Sequence, residues 1–153
     1  MECVAYDWDG IYRKKTTPEL SRLVPFLHPI YPMADNPDIA DSRFMAGIAH
    51  FNAGEFFEAH EVWEELWMEC ASAERRFVQA LIQAAVAMHH FRRGNAAGAR
   101  RLFHSGRRYM EPYRPRFWGL DIDDFWSRME SHLAPALTGD ATSPGPLPVI
   151  SLS

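Results

Sequence analysis

The segment "ERRFVQALIQAAVAMHHFRRGN", Glu74 to Asn95, constrains the fold more than any other part of the chain. Advanced at about 100° per residue, its apolar side chains cover nearly the whole circumference of a helix. The polar exceptions, Gln79, His90, Gln83 and Arg76, form one narrow stripe, and His89 is set apart from it. A helix this apolar has to be surrounded by other elements. The sequence therefore predicts a helix over 73–93 at the centre of a bundle, started by Ser72 as its cap. The stripe is too thin for a solvent face, so its glutamines need hydrogen bonds inside the protein.

The flanking sequence supplies the surrounding elements. A helix is predicted from Asp41 or Ser42, good capping residues, to about Asn52, where Gly54 breaks it. A second runs over 55–70. Gly94 ends the central helix, Asn95 starts a fourth, and Pro112 limits that one. The stretch "GLDIDDFWSRMESHL" reads as a fifth, capped by Asp121 or Asp123. Nearer the N-terminus a short helix fits 18–27, after which Pro25, Pro29, Pro32 and Pro37 force an extended or turning path. No segment alternates in the manner of a strand. The expected fold is all-α, a compact bundle of about five helices built from antiparallel helical hairpins. Three regions follow: an N-terminal extension, 1–40, proline-rich in its second half; a bundle domain, 41–137; and a loosely ordered tail, 138–153.

A faint repeat supports the hairpins. "HFNAGEFFEAHEVW" from His50 aligns with "HFRRGNAAGARRLF" from His90, so that His, Phe, Gly and Ala recur at 50/90, 51/91, 54/94 and 59/99, and Trp63 meets Phe103. In each copy a helix ends on glycine and the next packs back against it, with alanine allowing a close approach.

With 153 residues, 47% of them hydrophobic, the chain suits one domain with a full core. No apolar run approaches the roughly 20 residues of a membrane span, so no membrane segment is expected. The opening "MECVAYDWDG" does not resemble a secretory signal, and Cys3 and Cys70 form neither a disulfide framework nor a metal-spaced pair. A cytoplasmic setting is the expectation. The net charge of −4 argues against nucleic acid as a partner. Charge is nevertheless segregated: six glutamates and no base lie between Glu55 and Glu69, and eight arginines with one acid, Glu111, lie between Arg92 and Arg116. In the fourth helix Ala99, Leu102, Phe103, Gly106 and Met110 fall inside, while Arg100, His104, Arg107 and Arg108 fall outside. That is an ordinary amphipathic pattern with two solvated faces; an anion-binding surface is the sharper reading.

Candidate chemistry concentrates in "FNAGEFFEAHEVWEELW". On the second helix His60, Trp63, Phe56, Trp67, Phe57 and Met68 make one arc. Glu55, Glu58, Glu61, Glu65 and Glu69 fall on the other side. Glu64 alone lies within the apolar arc, one turn after His60. A carboxylate placed there needs a partner or a shifted pKa. A hydrogen-bonded network can satisfy it, and so can a divalent metal held by His60 and Glu64. In the metal reading His90 or a glutamine completes the site, a water is activated, and Arg76 stabilises negative charge, as in a metal-assisted hydrolase. In the alternative the pair is structural and the protein is a helical module for a small ligand or peptide, lined by Phe56, Trp63 and Trp67, or a homo-oligomer joined through Trp118, Phe125 and Trp126. Either way Trp67 is expected beneath the pair, with at least two of Arg76, Gln79, Gln83 and His90 in reach. "HEVWE" is not the zinc-protease HExxH, and the chain has no Glu-x-x-His, Gly-x-Ser-x-Gly or phosphate-binding glycine loop.

From Arg43 to about Met110 these residues resemble the bacterial and archaeal family of domains of unknown function 309, whose His-x-x-x-Glu-x-x-Trp motif corresponds here to His60, Glu64 and Trp67. The resemblance implies an all-helical bundle and a suggested metal-binding role for the motif. It implies no activity.

Overall fold

The computed structural model describes residues 41–153. The short helix expected over 18–27 and the 1–40 extension lie outside the described residues. Five α-helices follow: α1 (Ser42–Asn52), α2 (Phe56–Glu69), α3 (Ser72–Arg92), α4 (Ala96–Met110) and α5 (Ile122–Thr138). They pack in sequence, α1 on α2, α2 and α4 on α3, and α5 on α4. The all-α bundle read from the sequence is what the chain adopts, and α3 is its centre, with Phe77, Val78, Leu81 and Ala84 through Ala87 all buried.

The two hairpin junctions are built alike. Gly54 and Gly94 each have φ +77°, the left-handed conformation that ends a helix at least cost in glycine. The Gly54 N–H donates to the Phe51 carbonyl and that of Glu55 to the His50 carbonyl; Gly94 and Asn95 repeat this on Phe91 and His90. Ala59 and Ala99, one turn on, are both buried, as are Trp63 and Phe103. The internal repeat is thus a repeated structure.

Caps set the other boundaries. The Asp41 carboxylate accepts from the Arg43 N–H at the start of α1, Asn95 from Gly98 and Asp121 from Asp124. Ser72 is a correction: it lies inside α3, and the cap is Ala71, which makes no side-chain bond. The segment before α5 is a second correction. Arg116–Phe117 (β1) and Leu120–Asp121 (β2) form a two-stranded antiparallel hairpin, so Leu120 and Asp121 precede the helix as strand. Its two-residue turn has Trp118 at φ +46° and Gly119 at φ +71°, the paired positive angles of a type I′ turn. Trp118 is held there by aromatic edges, 5.2 Å from Phe44 and 5.4 Å from Phe77 between ring centres.

The tail, expected to be loose, is fastened at several points. Pro135 sits inside α5 and has no N–H to give the Ser131 carbonyl. The Gly145 N–H from the tail donates to that carbonyl at 3.2 Å. A side chain at Gly145 would meet the Ser131 hydroxyl at 2.5 Å, which fixes the residue type. Farther on, the Asn52 amide makes two bonds to the Ile150 backbone, at 2.8 and 2.7 Å, and Leu152 bridges to Leu120. The tail therefore ties α5 and the hairpin to the end of α1.

Candidate functional site

The arc on α2 forms only in part: Trp67 is half-buried, while Phe57 and Met68, at its glutamate-side edge, are exposed, and Leu66 beyond its other edge is buried instead. Phe56, Trp63 and Leu66 are buried, and so is His60, at 2% exposure. Glu55, Glu58, Glu61, Glu65 and Glu69 are exposed. Glu64 is half-buried, one turn from His60, at the edge of the arc. The His60 Nδ1–H donates to the Phe57 carbonyl of its own helix. In the neutral ring this leaves the lone pair on Nε2.

The polar stripe of α3 faces elsewhere than expected. Asn95 donates to His90 Nδ1 at 3.0 Å; the Gln83 Cβ lies against Gly106; and the Arg76 guanidinium stands over Tyr109. Three of the four stripe residues thus turn towards α4. Gln79, on the same stripe, is half-buried. The imidazole that α3 brings to His60 is His89. Phe57 lies between them, its ring centre 4.7 Å from His60 and 5.6 Å from His89. Burial lowers the His89 pKa, with Arg93, His90, His60 and Arg92 adding to the effect. Trp67 is half-buried under the Arg75 guanidinium, 3.9 Å from the ring centre, and its indole N–H has no hydrogen-bond partner among the described residues. Arg92 crosses from the second junction to the first, donating to the Gly54 carbonyl at 2.6 Å and lying over Phe56.

Sequence reasoning did not single out Arg75 or His89 for this site. A signal for Arg75 was present: the last turn of α2 and the first of α3 are separated only by Cys70 and Ala71, so Trp67 and Arg75 meet across a short link.

Among the described residues no group of three or more His, Cys, Asp or Glu side chains converges. His60 and Glu64 supply two donors, fewer than the three protein ligands of a catalytic zinc. Cys70 lies at the far end of α2 as its C-cap, and burial raises its thiol pKa to about 11. Trp118, Phe125 and Trp126, considered as a patch for self-association, are packed instead: Phe125 and Trp126 are buried, and Trp118 is half-buried against Phe117.

His90 is structural in a way that titrates. Its Nδ1 accepts from the Asn95 side-chain N–H, while the Asn95 Oδ1 accepts the Gly98 N–H that caps α4. A proton on Nδ1 would set donor against donor, and turning the amide over would remove the cap. Burial, followed by Arg93, lowers the His90 pKa below its ordinary 6.5. A lowered histidine pKa favours the neutral folded form. Its stabilising effect is complete above about pH 6.5 and is lost as the pH falls through the folded-state pKa. Urea midpoints measured across that range should fall with pH in the wild type and fall less in His90→Gln, with His89 keeping its own share. An equal slope in both proteins would refute the assignment.

Comparison with known proteins covers the same helices. Residues 44–102 match the family described as "Domain of unknown function (DUF309)". The uncharacterized protein YpuF of Bacillus subtilis (strain 168) is 43% identical over 70 residues, 45% of this chain and 40% of that protein. An uncharacterized protein of Aquifex aeolicus (strain VF5) is 29% identical over 84 residues, 54% of this chain and 25% of its own length. The matches span less than half the length of either relative. Over α1, α2, α3 and the first half of α4 the chain resembles the DUF309 family, as its His60, Glu64 and Trp67 motif implied.

Proposed function

We propose that this chain is a non-enzymatic helical module that binds a partner through its outer helix faces, and that the His60–Glu64 turn is structural. One observation carries this reading: the His60 Nδ1 is committed to its own backbone, and the side chains around the motif, His90, Asn95, Arg75 and Arg92, link neighbouring helices and junctions. His90 and Asn95 join α3 to α4, Arg75 covers Trp67, and Arg92 ties one junction to the other. What remains for recognition is surface. Phe57 and Met68, 38% and 65% exposed, lie on α2 beside its glutamates.

A second reading keeps the metal. The backbone bond at His60 Nδ1 leaves Nε2 as the lone-pair nitrogen, the arrangement common in metal-ligating histidines, and Glu64 stands one turn away. Elemental analysis of the untagged full chain and of Glu64→Gln separates the two. The structural reading expects metal well below one equivalent in both proteins, and a melting temperature that a chelator does not change. One equivalent of a divalent metal in the wild type, lost in Glu64→Gln, would replace it with the metal reading.

A further inference from the structure

Two helices of this bundle present rows of opposite charge. On α2 Glu58, Glu61 and Glu65 are exposed and make no ion pair among the described residues; Glu55 and Glu69, at the two ends, are held by His50 and Arg43. On α4 Arg100 and Arg108 are exposed and make no ion pair among the described residues, His104 stands exposed between them, and Arg107 reaches Glu130 at 3.4 Å. These helices are the second members of the two like-built hairpins, and both pack on α3. At a rise of about 1.5 Å per residue, the acidic row is about 10 Å long and the basic row about 12 Å. Phe57 and Met68 add exposed apolar surface along one edge of the acidic row.

We propose that the partner of this module is a second copy of the same chain, docked head to tail, with the acidic row of one α2 on the basic row of the next copy's α4. The proposal rests on the reading of the chain as an interaction module and names its partner. Charge complementarity selects the occupant: the surface that fits the glutamates is carried by the chain itself, in matching length. The contact is heterologous, so each added copy leaves one row of each sign open. Rows of exposed charge make the association weak and sensitive to salt.

Sedimentation velocity on the full chain tests this in about 20 mM salt, where charges are screened over about 20 Å, and in about 500 mM salt, where the screening length is about 4 Å. The expected result is a mass that grows with concentration at low salt, without stopping at a dimer, and a monomer at high salt. The reversal variants Glu58→Lys/Glu61→Lys/Glu65→Lys and Arg100→Glu/Arg108→Glu should each be monomeric alone. Their equimolar mixture should associate, because the basic α2 of one now meets the acidic α4 of the other. Single neutral changes, Glu61→Gln and Arg100→Gln, guard against misfolding of the multiple variants and should each weaken low-salt association several-fold. A wild type that stays monomeric at low salt overturns the proposal. So does association that survives either reversal, or a mixture that fails to associate. A basic row that serves a nucleic acid instead would show as polyanion binding lost in the α4 reversal, with wild-type mass unaffected by the α2 reversal, and that too overturns it. One equivalent of metal would defeat the module reading without changing these results, and a salt-independent monomer would defeat the pairing while leaving the module reading intact.

Discussion

Trp63→Ala is expected to cost about 3–5 kcal/mol of folding stability, the range for removing a large aromatic from a packed core. Trp63 is completely buried. Its indole N–H donates to the Phe44 carbonyl at 3.3 Å, and its ring packs 6.0 Å from Phe51. The variant therefore opens a cavity and leaves a backbone carbonyl without this donor, so the loss has two sources. Chemical denaturation with an unchanged m-value checks it. A loss below about 1 kcal/mol would place Trp63 outside the cooperative core.

Gly47→Ala is the counterpart on the facing helix. A Cβ at Gly47 would lie 2.1 Å from the Trp63 indole nitrogen and 2.4 and 2.5 Å from two ring carbons. The ring is fixed by its own bond and by α1, so it cannot step aside cheaply. Alanine is intrinsically the better helix former by about 1 kcal/mol, yet overpacking in a filled core costs about 1–3 kcal/mol or more. The contact decides the sign, and the variant should be destabilised by more than about 2 kcal/mol. Because the two residues touch, their effects should not add. In Gly47→Ala/Trp63→Ala the new methyl falls into the space the indole vacated, and the double variant should be more stable than the sum of the singles implies. Strict additivity would mean that the close approach of α1 and α2 is not what makes glycine necessary.

Much of this arrangement was legible in the sequence, for identifiable reasons. The all-round apolar character of α3 could be satisfied only at the centre of a bundle. Gly54 and Gly94 mark junctions because a left-handed residue is needed there. The inward placement of His60 followed from helical spacing alone. The direction of the α3 stripe did not follow, because a helix that is apolar on nearly every side carries no mark of which neighbour occupies which side. Gln83 and His90 consequently face α4, and His89, set apart by the same spacing, is the residue near His60. The hairpin before α5 was hidden because strands of two residues are too short to show alternation, and Trp118 is an unusual residue at positive φ. The tail looked loose by composition. Its attachment depends on a pairing between distant positions, the Ser131 carbonyl freed by Pro135 and the Gly145 N–H, which no local pattern displays.

His60 is held through one ring nitrogen, by the Phe57 carbonyl of its own helix. Nitrogen NMR of the His60 imidazole reports which nitrogen carries the proton and whether the other binds a metal. The expected result is an Nδ1–H tautomer, set by the Phe57 carbonyl, whose Nε2 resonance does not move as zinc or manganese is added in increasing equivalents. A saturable shift or loss of the Nε2 signal at one equivalent of metal, abolished in Glu64→Gln, would contradict it.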